Sequence, residues 1–349
     1  MSQKVLIIGS NVRNIAESAK KSGCEVIAIT KYADADLKIY CKKTIEIESI
    51  DEKKIPKLVE ETAESENAKI VLASGFETLD VRGDLLCTEP KKCKVIVDKL
   101  KFYKILERAG LPYPELIKES DTPAILKPRI GGGGENVTLA LRKRPGYILQ
   151  RYIDGIPCSV SLIVGEEAFP IACNYIIAGW QEMNASGFRY CGNITPLVET
   201  EIRRELIEIA KQTVELFDLR GSVGVDFIYA DKPYILEVNP RFQGSLDSIE
   251  WSYDLNLFEL HKKAFDGKRI STKKPSRFAI RSILFTNRKT KIKSPIVGNP
   301  FYADIPSSSR IYEIGEPLIS ILATGNSIRE VKEKVVKRKR LLDNLGLFR

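Results

Sequence analysis

Short apolar runs separated by polar or glycine-punctuated segments cover most of the chain, and their spacing predicts alternating strands and helices. At the N-terminus the apolar run KVLII (4–8) is followed by a helical stretch ending near Lys21 and a second apolar run at 25–30. This order is typical of a βαβ unit in an open parallel sheet, which the run at 69–74 continues. The first turn lacks G-x-G-x-x-G, so the sequence gives little support to dinucleotide binding.

An acidic residue lies just beyond the predicted strand at 69–74. Glu77 would lie at the carboxyl edge of the sheet, where open α/β sheets bind ligands. Glu77 is therefore a candidate substrate contact, and a helix N-cap or an exposed surface acid is the alternative.

A lysine-bearing strand and a run of glycines predict a phosphate-binding region. Asp98 can cap a helix that begins at Lys99, and AILKP (124–128) places Lys127 on a strand. Glycines allow backbone N–H groups to approach and cradle a phosphate, and ordering four of them is entropically costly. We therefore expect a loop that covers a ligand, in preference to a simple hairpin turn, at Gly131, Gly132, Gly133 and Gly134.

Two β-branched runs at 223–229 and 234–238 flank a turn and predict a hairpin. Asp226 interrupts the first run and Glu237 the second. Asn239 points to the same side as Glu237, because side chains alternate across a strand. Two carboxylates and an amide oxygen on one face suit Mg²⁺, and Arg241 would add a positive charge beside the metal. The alternative is a solvated hairpin, which the cost of unpaired charges in apolar runs disfavours.

Further segments predict scaffold and loops. Residues 181–195 are polar and glycine-punctuated, which suggests a mobile loop over the site. Arg189 in this loop is a candidate grip for a substrate carboxylate or a γ-phosphate, with an ordinary exposed arginine as the alternative. The sequence predicts helices at 199–217, 254–265 and 327–345, and a strand at 278–285 that carries Arg281 as a candidate substrate contact.

Composition predicts a globular protein of two or three packed subdomains. The 349 residues are 43% hydrophobic and 29% charged, without an apolar run of membrane-span length. The N-terminus enters a strand directly without a signal peptide, so we expect a cytoplasmic location. Seven cysteines without a C-x-x-C pair favour free thiols over disulfides or zinc sites. The single histidine, His261, lies at a helix end and is given no catalytic role.

The net charge of +9 is concentrated in the C-terminal third. Ten lysines and arginines lie between Asp266 and Asp304 without an acid, all of them in the stretch 268–293. Such charge attracts ATP, phosphorylated substrates or nucleic acid, although a solvated lysine-rich surface is the simpler interpretation. The stretch has only two aromatic residues, Phe278 and Phe285, and this scarcity argues against single-stranded nucleic acid.

These patterns, in this order, resemble the ATP-grasp superfamily. D-F at 226–227 and E-V-N-P-R at 237–241 are similar to its metal-binding end, and ILQRYI (148–153) to its hinge strand. The resemblance implies phosphate contacts from Lys99 and Lys127, a mobile loop at Gly131–Gly134, and metal ligation by Asp226, Glu237 and Asn239. It also implies adenine recognition by a short hinge segment, Gln150, Arg151, Tyr152 and Ile153.

The resemblance also implies an architecture, α/β and α+β overall. An open α/β domain at 1–94 would precede a two-lobed ATP-grasp domain, with its N-lobe at 95–155 and its C-lobe at 156–275. A small α+β extension, similar to that of biotin carboxylase, would complete the chain at 276–349.

The function implied is an ADP-forming ligase that joins a small-molecule carboxylate to an amine through an acyl phosphate. ATP and Mg²⁺ or Mn²⁺ would be required, with Lys127 and Arg241 as catalytic residues, and a homodimer is in keeping with the family. Two alternatives stay open: an ATP-grasp carboxylase or phosphotransferase, and a non-catalytic nucleotide- or nucleic-acid-binding protein.

Overall fold

The computed structural model describes residues 2–47, 51–293, 295–308 and 310–344. It contains a parallel sheet of four strands, two antiparallel sheets of four and eight strands, and a two-stranded ribbon. The predicted mixed α/β fold class is therefore confirmed. Within the described residues no helix is both long enough and apolar enough to cross a membrane.

The N-terminal sheet has the strand order β3-β2-β1-β4, and every neighbouring pair is parallel, as the predicted βαβ unit requires. The central strand β1 is buried, because other elements of the protein pack on both faces of the sheet along its apolar residues VLII. The elements are β1 (Lys4–Gly9), α1 (Arg13–Lys21), β2 (Glu25–Thr30), α2 (Leu37–Tyr40), β3 (Lys43–Glu46), a 3₁₀ turn (Glu52–Lys54), α3 (Ile55–Glu66) and β4 (Lys69–Leu72).

A small antiparallel sheet with the order β5-β8-β6-β7 follows; with its two helices it is called the small lobe. The predicted cap is present, because the Asp98 carboxylate accepts from the backbone N–H of Leu100 at 3.2 Å. The elements are α4 (Pro90–Ile96), α5 (Lys99–Arg108), β5 (Leu116–Ile117), β6 (Glu119–Pro128), β7 (Thr138–Arg142) and β8 (Tyr147–Gln150).

The eight-stranded sheet, called the central sheet, has the order β13-β12-β9-β10-β11-β14-β18-β16. The predicted hairpin is its first pair of strands, and the predicted strand at 278–285 is β14. The elements are β9 (Ile156–Val164), β10 (Ala168–Ala178), a 3₁₀ turn (Gln181–Met183), β11 (Tyr190–Thr195), α6 (Thr200–Leu216), β12 (Gly221–Tyr229), β13 (Pro233–Asn239), α7 (Leu246–Tyr253), α8 (Leu257–Phe265), β14 (Phe278–Phe285), β15 (Thr290–Lys291), β16 (Tyr302–Ala303), β17 (Ile311–Tyr312), β18 (Pro317–Gly325) and α9 (Ile328–Asn344).

Two sequence predictions were wrong in this region. The predicted loop at 181–195 ends in strand β11, because Asn193 and Thr195 are buried and bond to Ser248 and Asn174 instead of to water. The predicted helix at 254–265 is the shorter α8, and an unpredicted helix, α7, precedes it.

The C-terminal strands continue the central sheet, since β14 pairs with β11 and β18 pairs with β14. The segment predicted as an extension thus shares its sheet with the hairpin β12–β13. The boundaries predicted for the four domains stay predictions.

The N-terminal sheet packs on the helices that follow the hairpin. Val5 and Ile7 of β1 belong to the same buried cluster as Phe242, Ile249 and Phe258. This shared core places the carboxyl edge of the parallel sheet beside the end of β13, where the candidate site lies.

Candidate functional site

A cavity of about 360 Å³ lies between the small lobe and the central sheet. Residues of both sheets contribute, since β6 and β8 provide one wall and β9, β12 and β13 the other. All fourteen residues predicted for ATP, metal and catalysis line it: Lys99, Lys127, Gly131, Gly132, Gly133, Gly134, Gln150, Arg151, Tyr152, Ile153, Asp226, Glu237, Asn239 and Arg241.

The hairpin β12–β13 places its two acids on one face. Asp226 and Glu237 are direct partners in the antiparallel register, and directly opposed side chains project to the same side. Asn239 lies on that side too, because its amide nitrogen donates to Asp226 Oδ2 at 3.1 Å. Burial, and then the neighbouring Glu237 carboxylate, raise the pKa of Asp226 well above its ordinary value. The two carboxylates therefore form an electrostatically unfavourable pair.

The donor set suits a hard divalent cation. A cation between Asp226 and Glu237 would relieve their repulsion, and Mg²⁺ typically takes one or two carboxylates. Among the described residues no group of three or more His, Cys, Asp or Glu forms a metal site. The third predicted ligand is an amide, and Asn239 Oδ1 here accepts from Arg241 Nη2 at 2.9 Å.

Two buried lysines face the hairpin from the small lobe. Lys99 begins α5 and Lys127 lies near the end of β6, and they are 7% and 8% exposed. Burial lowers the pKa of both, and the neighbouring Lys99 adds to the effect at Lys127, whose pKa falls to about 7. Two desolvated ammonium groups side by side are poised for a polyanion.

The glycine run packs against the loop before β11. The carbonyl of Gly133 accepts from the backbone N–H of Tyr190 at 3.1 Å, and the Lys99 ammonium donates to the carbonyl of Gly131. Gly134 has a φ of +72°, and a Cβ at this position would clash with the carbonyl oxygen of Phe188. Glycine is thus required at 134 both by conformation and by space.

The predicted hinge segment leaves the small lobe along β8. Gln150 is buried and donates from Nε2 to the carbonyl of Pro114 at 2.9 Å, while Arg151 pairs with Glu115 at 2.8 Å. Tyr152 and Ile153 then cross to β9 and line the cavity between the two sheets. The segment therefore connects the two walls at the end of the cavity.

Comparisons with known proteins agree with this geometry. Residues 96–245 match the model of a family described as an ATP-grasp domain. An uncharacterized protein of Methanocaldococcus jannaschii is 30% identical over 382 aligned positions, which cover 98% of this chain and 95% of the relative. The chain belongs to the ATP-grasp superfamily.

Other similarities cover different shares of the ATP-grasp chain. Tyramine–L-glutamate ligase of Methanocaldococcus fervens is 31% identical over 105 residues, which are 30% of this chain and only 33% of the ligase. Among solved structures, biotin carboxylase of Campylobacter jejuni has a TM-score of 0.73 at 15% identity and covers 96% of this chain and 90% of its own. An L-amino acid ligase of Bacillus licheniformis has a TM-score of 0.73 at 15% identity, with 100% and 98% covered. At such identities the two structures show the ATP-grasp fold alone.

Arg241 of the ATP-grasp motif is held from several sides. Its Nε donates to Glu77 Oε1 at 2.5 Å, its Nη1 to the carbonyl of Phe242 at 3.0 Å, and its Nη2 to Asn239. Glu77, predicted as a substrate contact, thus reaches across from the N-terminal sheet to the residue that follows the end of β13 by two positions. Its carboxylate contacts a cavity residue but is not itself part of the lining.

The other two predicted substrate contacts also lie outside the lining of the ATP-grasp cavity. Arg281 is buried and pairs with Asp304 at 2.7 Å and with Asp247 at 3.3 Å. Arg189 lies over the ring of Phe285, 4.3 Å from its centroid. Their roles toward a substrate stay predictions.

Sequence reasoning missed a polar part of the cavity floor. Tyr190, Asn193 and Ser159 line the ATP-grasp cavity and belong to strands that read as loop or as plain scaffold. Asn193 is held by Ser248, at 2.5 Å, on the unpredicted helix α7. A buried asparagine inside a strand was the available signal, because buried amides need hydrogen-bond partners.

Proposed function

We propose that this ATP-grasp protein is an ATP-dependent ligase that joins a small-molecule carboxylate to an amine and releases ADP and phosphate. The observation that carries the proposal is that one cavity is lined by an acidic pair on the β12–β13 hairpin, by two buried lysines and by a glycine loop. The tyramine–L-glutamate ligase among the relatives supports the reaction class.

The proposed reaction has two steps. A substrate carboxylate oxygen attacks the γ-phosphorus of ATP, and the bond from this phosphorus to the bridging oxygen breaks. ADP is released and an acyl phosphate is formed. The amine nitrogen then attacks the acyl carbon, the carbon–oxygen bond to phosphate breaks, and the nitrogen loses a proton. Neither step needs a side-chain nucleophile, so the work of the protein is positioning and charge neutralisation.

The residues of the cavity divide this work. Lys99 and Lys127 would hold the phosphate chain, while the loop at Gly131–Gly134 covers it and excludes water from the acyl phosphate. Asp226, Glu237 and Asn239 would hold Mg²⁺ or Mn²⁺, which neutralises phosphate charge when bound. Lys127 and Arg241 would be the catalytic residues, and Arg241 would stabilise the negative charge that develops on oxygen.

The remaining parts of the cavity would hold the rest of the substrates. The hinge segment Gln150–Ile153 would contact adenine, largely through its backbone. Arg189, Glu77 and Arg281 lie outside the cavity lining and would contact the carboxylate or amine substrate. A homodimer and a cytoplasmic location remain part of the proposal.

A screen of ADP release tests the proposal. Amino acids and other carboxylates are combined with amines in the presence of Mg²⁺ and ATP, and the products are read by mass spectrometry. We expect ADP release that requires both substrates, and a loss of at least ~100-fold in Glu237→Gln, because a metal-binding carboxylate is removed. Asp231→Asn is the matched control, since Asp231 is an exposed acid in the turn of the same hairpin.

Two results would contradict the ligase. Stimulation by bicarbonate without any amine would indicate a carboxylase. Full turnover in Glu237→Gln would remove the metal assignment.

A further inference from the structure

Tyr103 is a buried tyrosine whose hydroxyl is directed at the proposed phosphate site. It lies on α5 four residues after Lys99, so both side chains project from the same face of the helix. The side chain has no exposed surface, and its ring stacks on Tyr113 with the centroids 5.2 Å apart.

The hydroxyl joins the two walls of the cavity. It accepts from the Lys127 ammonium at 2.7 Å and donates to the backbone carbonyl of Leu236. A phenol has only one proton, and that proton is used on Leu236, so the hydroxyl must act as acceptor toward Lys127. The lysine Nζ also lies 5.1 Å from the centroid of the same ring.

These contacts connect three elements that each carry a proposed nucleotide or metal residue. Tyr103 is on α5 with Lys99, Lys127 is on β6, and Leu236 immediately precedes Glu237 on β13. A lysine side chain has four rotatable bonds, and its charge is poorly placed without such a neighbour.

We infer that Tyr103 is a positioning residue: its hydroxyl fixes the Lys127 ammonium relative to the strand that carries Glu237, and so sets where the phosphate chain is held. The inference rests on the proposed nucleotide site. Tyr103 touches no reacting atom and acts only through Lys127.

The substitution Tyr103→Phe removes the hydroxyl and keeps the stacked ring. Isothermal titration with ATP and Mg²⁺ measures the effect, with adenosine as a second probe because it has no phosphates. We expect a roughly tenfold weaker Kd for ATP, as for the loss of a hydrogen bond to a charged group, and a change of less than about twofold for adenosine. Tyr113→Phe is the control, since it removes a hydroxyl from the neighbouring ring and should leave ATP binding within about twofold.

A double-mutant cycle separates positioning from packing. If Tyr103 acts through Lys127, adding Tyr103→Phe to Lys127→Met changes the Kd for ATP by less than about twofold. Equal losses for ATP and adenosine, or the full tenfold effect on top of Lys127→Met, would overturn the inference and leave a merely structural tyrosine.

ATP binding by the wild-type protein separates a failure of the inference about Tyr103 from a failure of the proposed function. Binding of ATP by the wild type together with unchanged binding by Tyr103→Phe would refute the inference alone. Absence of ATP binding by the wild type would refute the proposed function and the inference with it.

Discussion

At the scale of single residues, ionisable groups of the cavity lie beside groups of like charge, whereas the buried histidine of the core has neutral hydrogen-bond partners. Asp226 lies beside the carboxylate of Glu237, and Lys127 lies beside the ammonium of Lys99. His261, in contrast, is fully satisfied: its Nδ1 accepts from the backbone N–H of Ser222 at 2.8 Å, and its Nε2 lies 2.9 Å from the carbonyl of Leu86. Like charges held close together are typical of a site that binds charged ligands, and neutral hydrogen-bond partners are typical of a structural residue.

The only histidine should therefore titrate far below its usual range. Burial lowers the pKa of His261 to about 4, from an ordinary 6.5. Protonating Nδ1 would also break the bond from Ser222. Because the chain has one histidine, its imidazole resonances in an NMR titration are unambiguous, and we expect no shift between pH 7.5 and pH 5.5.

The same residue predicts a pH dependence of stability. The folded pKa lies below the unfolded one, so the unfolded state binds the proton first, and stability falls as the pH decreases from 6.5 towards 4. The free energy of unfolding decreases by about 3 kcal/mol. Urea unfolding of the wild type and of His261→Gln at pH 7 and pH 4.5 measures this contribution. An equal pH dependence in both proteins would contradict this assignment.

The sequence indicated many of the residues that line the cavity, because their chemistry is visible one residue at a time. Acids inside apolar runs and a lysine before four glycines are local signals. Tyr103 carried no such signal, because an aromatic residue on the buried face of a helix is ordinary core. Its hydroxyl partners, Lys127 and Leu236, are 24 and 133 residues away in the sequence.

At the scale of elements, the glycine loop is attached to the segment that leads into β11. The bond between Gly133 and Tyr190 ties the loop proposed to cover ATP to the cavity floor. The sequence predicted both segments but not their contact. It also missed β11, because its polar residues bond within the protein and read as a loop.

This contact predicts different effects for two neighbouring glycines. Gly134→Ala would introduce a Cβ against the carbonyl of Phe188 at a positive φ, and should separate the two segments. Gly132→Ala is the control, because a Cβ at position 132 would have no neighbour within 4 Å and the φ of Gly132 is unexceptional. We expect faster hydrogen exchange across 186–190 and at least ~10-fold weaker ATP binding in Gly134→Ala alone. The reason is that an alanine at this position strains the backbone. Similar behaviour of both variants would show that the contact is unimportant.

At the scale of the whole molecule, a buried ion cluster joins the N-terminal sheet to the central sheet. Arg13 is 1% exposed and makes two bonds to Asp247, at 2.8 and 2.7 Å, and one to Asp304 at 3.1 Å. Burial alone would raise the pKa of Asp304, but Arg13 and Arg281 hold it well below its ordinary value. The cluster therefore fixes α7 and the end of β16 against α1.

Breaking this cluster should destabilise the protein strongly. Arg13→Met leaves the buried carboxylates of Asp247 and Asp304 with Arg281 as their shared cationic partner. Removing one member of a buried ion cluster typically costs about 3–5 kcal/mol. Lys21→Met is the control, because Lys21 is an exposed partner of Glu17 on the same helix. Urea unfolding should show a large loss for Arg13→Met and a change below about 0.5 kcal/mol for Lys21→Met. A small loss in Arg13→Met would mean that the sheets are held together by apolar packing alone.

The ion cluster and the pairing of the C-terminal strands could not be predicted from the sequence. Arg13 is separated from Asp247 by 234 residues and from Asp304 by 291, so no local pattern connects them. The order of folding units could be predicted from periodicity and from the family resemblance. The joining of the C-terminal strands to the central sheet could not, because strand pairing across that distance depends on the tertiary structure.

The most direct measurement is a crystal structure of the protein with Mg²⁺ and a non-hydrolysable ATP analogue. The account predicts a metal ion at about 2.1 Å from carboxylate oxygens of Asp226 and Glu237, with the phosphate chain on Lys99 and Lys127 under the glycine loop. A nucleotide bound elsewhere, or bound in the cavity with its phosphates directed away from the β12–β13 hairpin, would contradict the account.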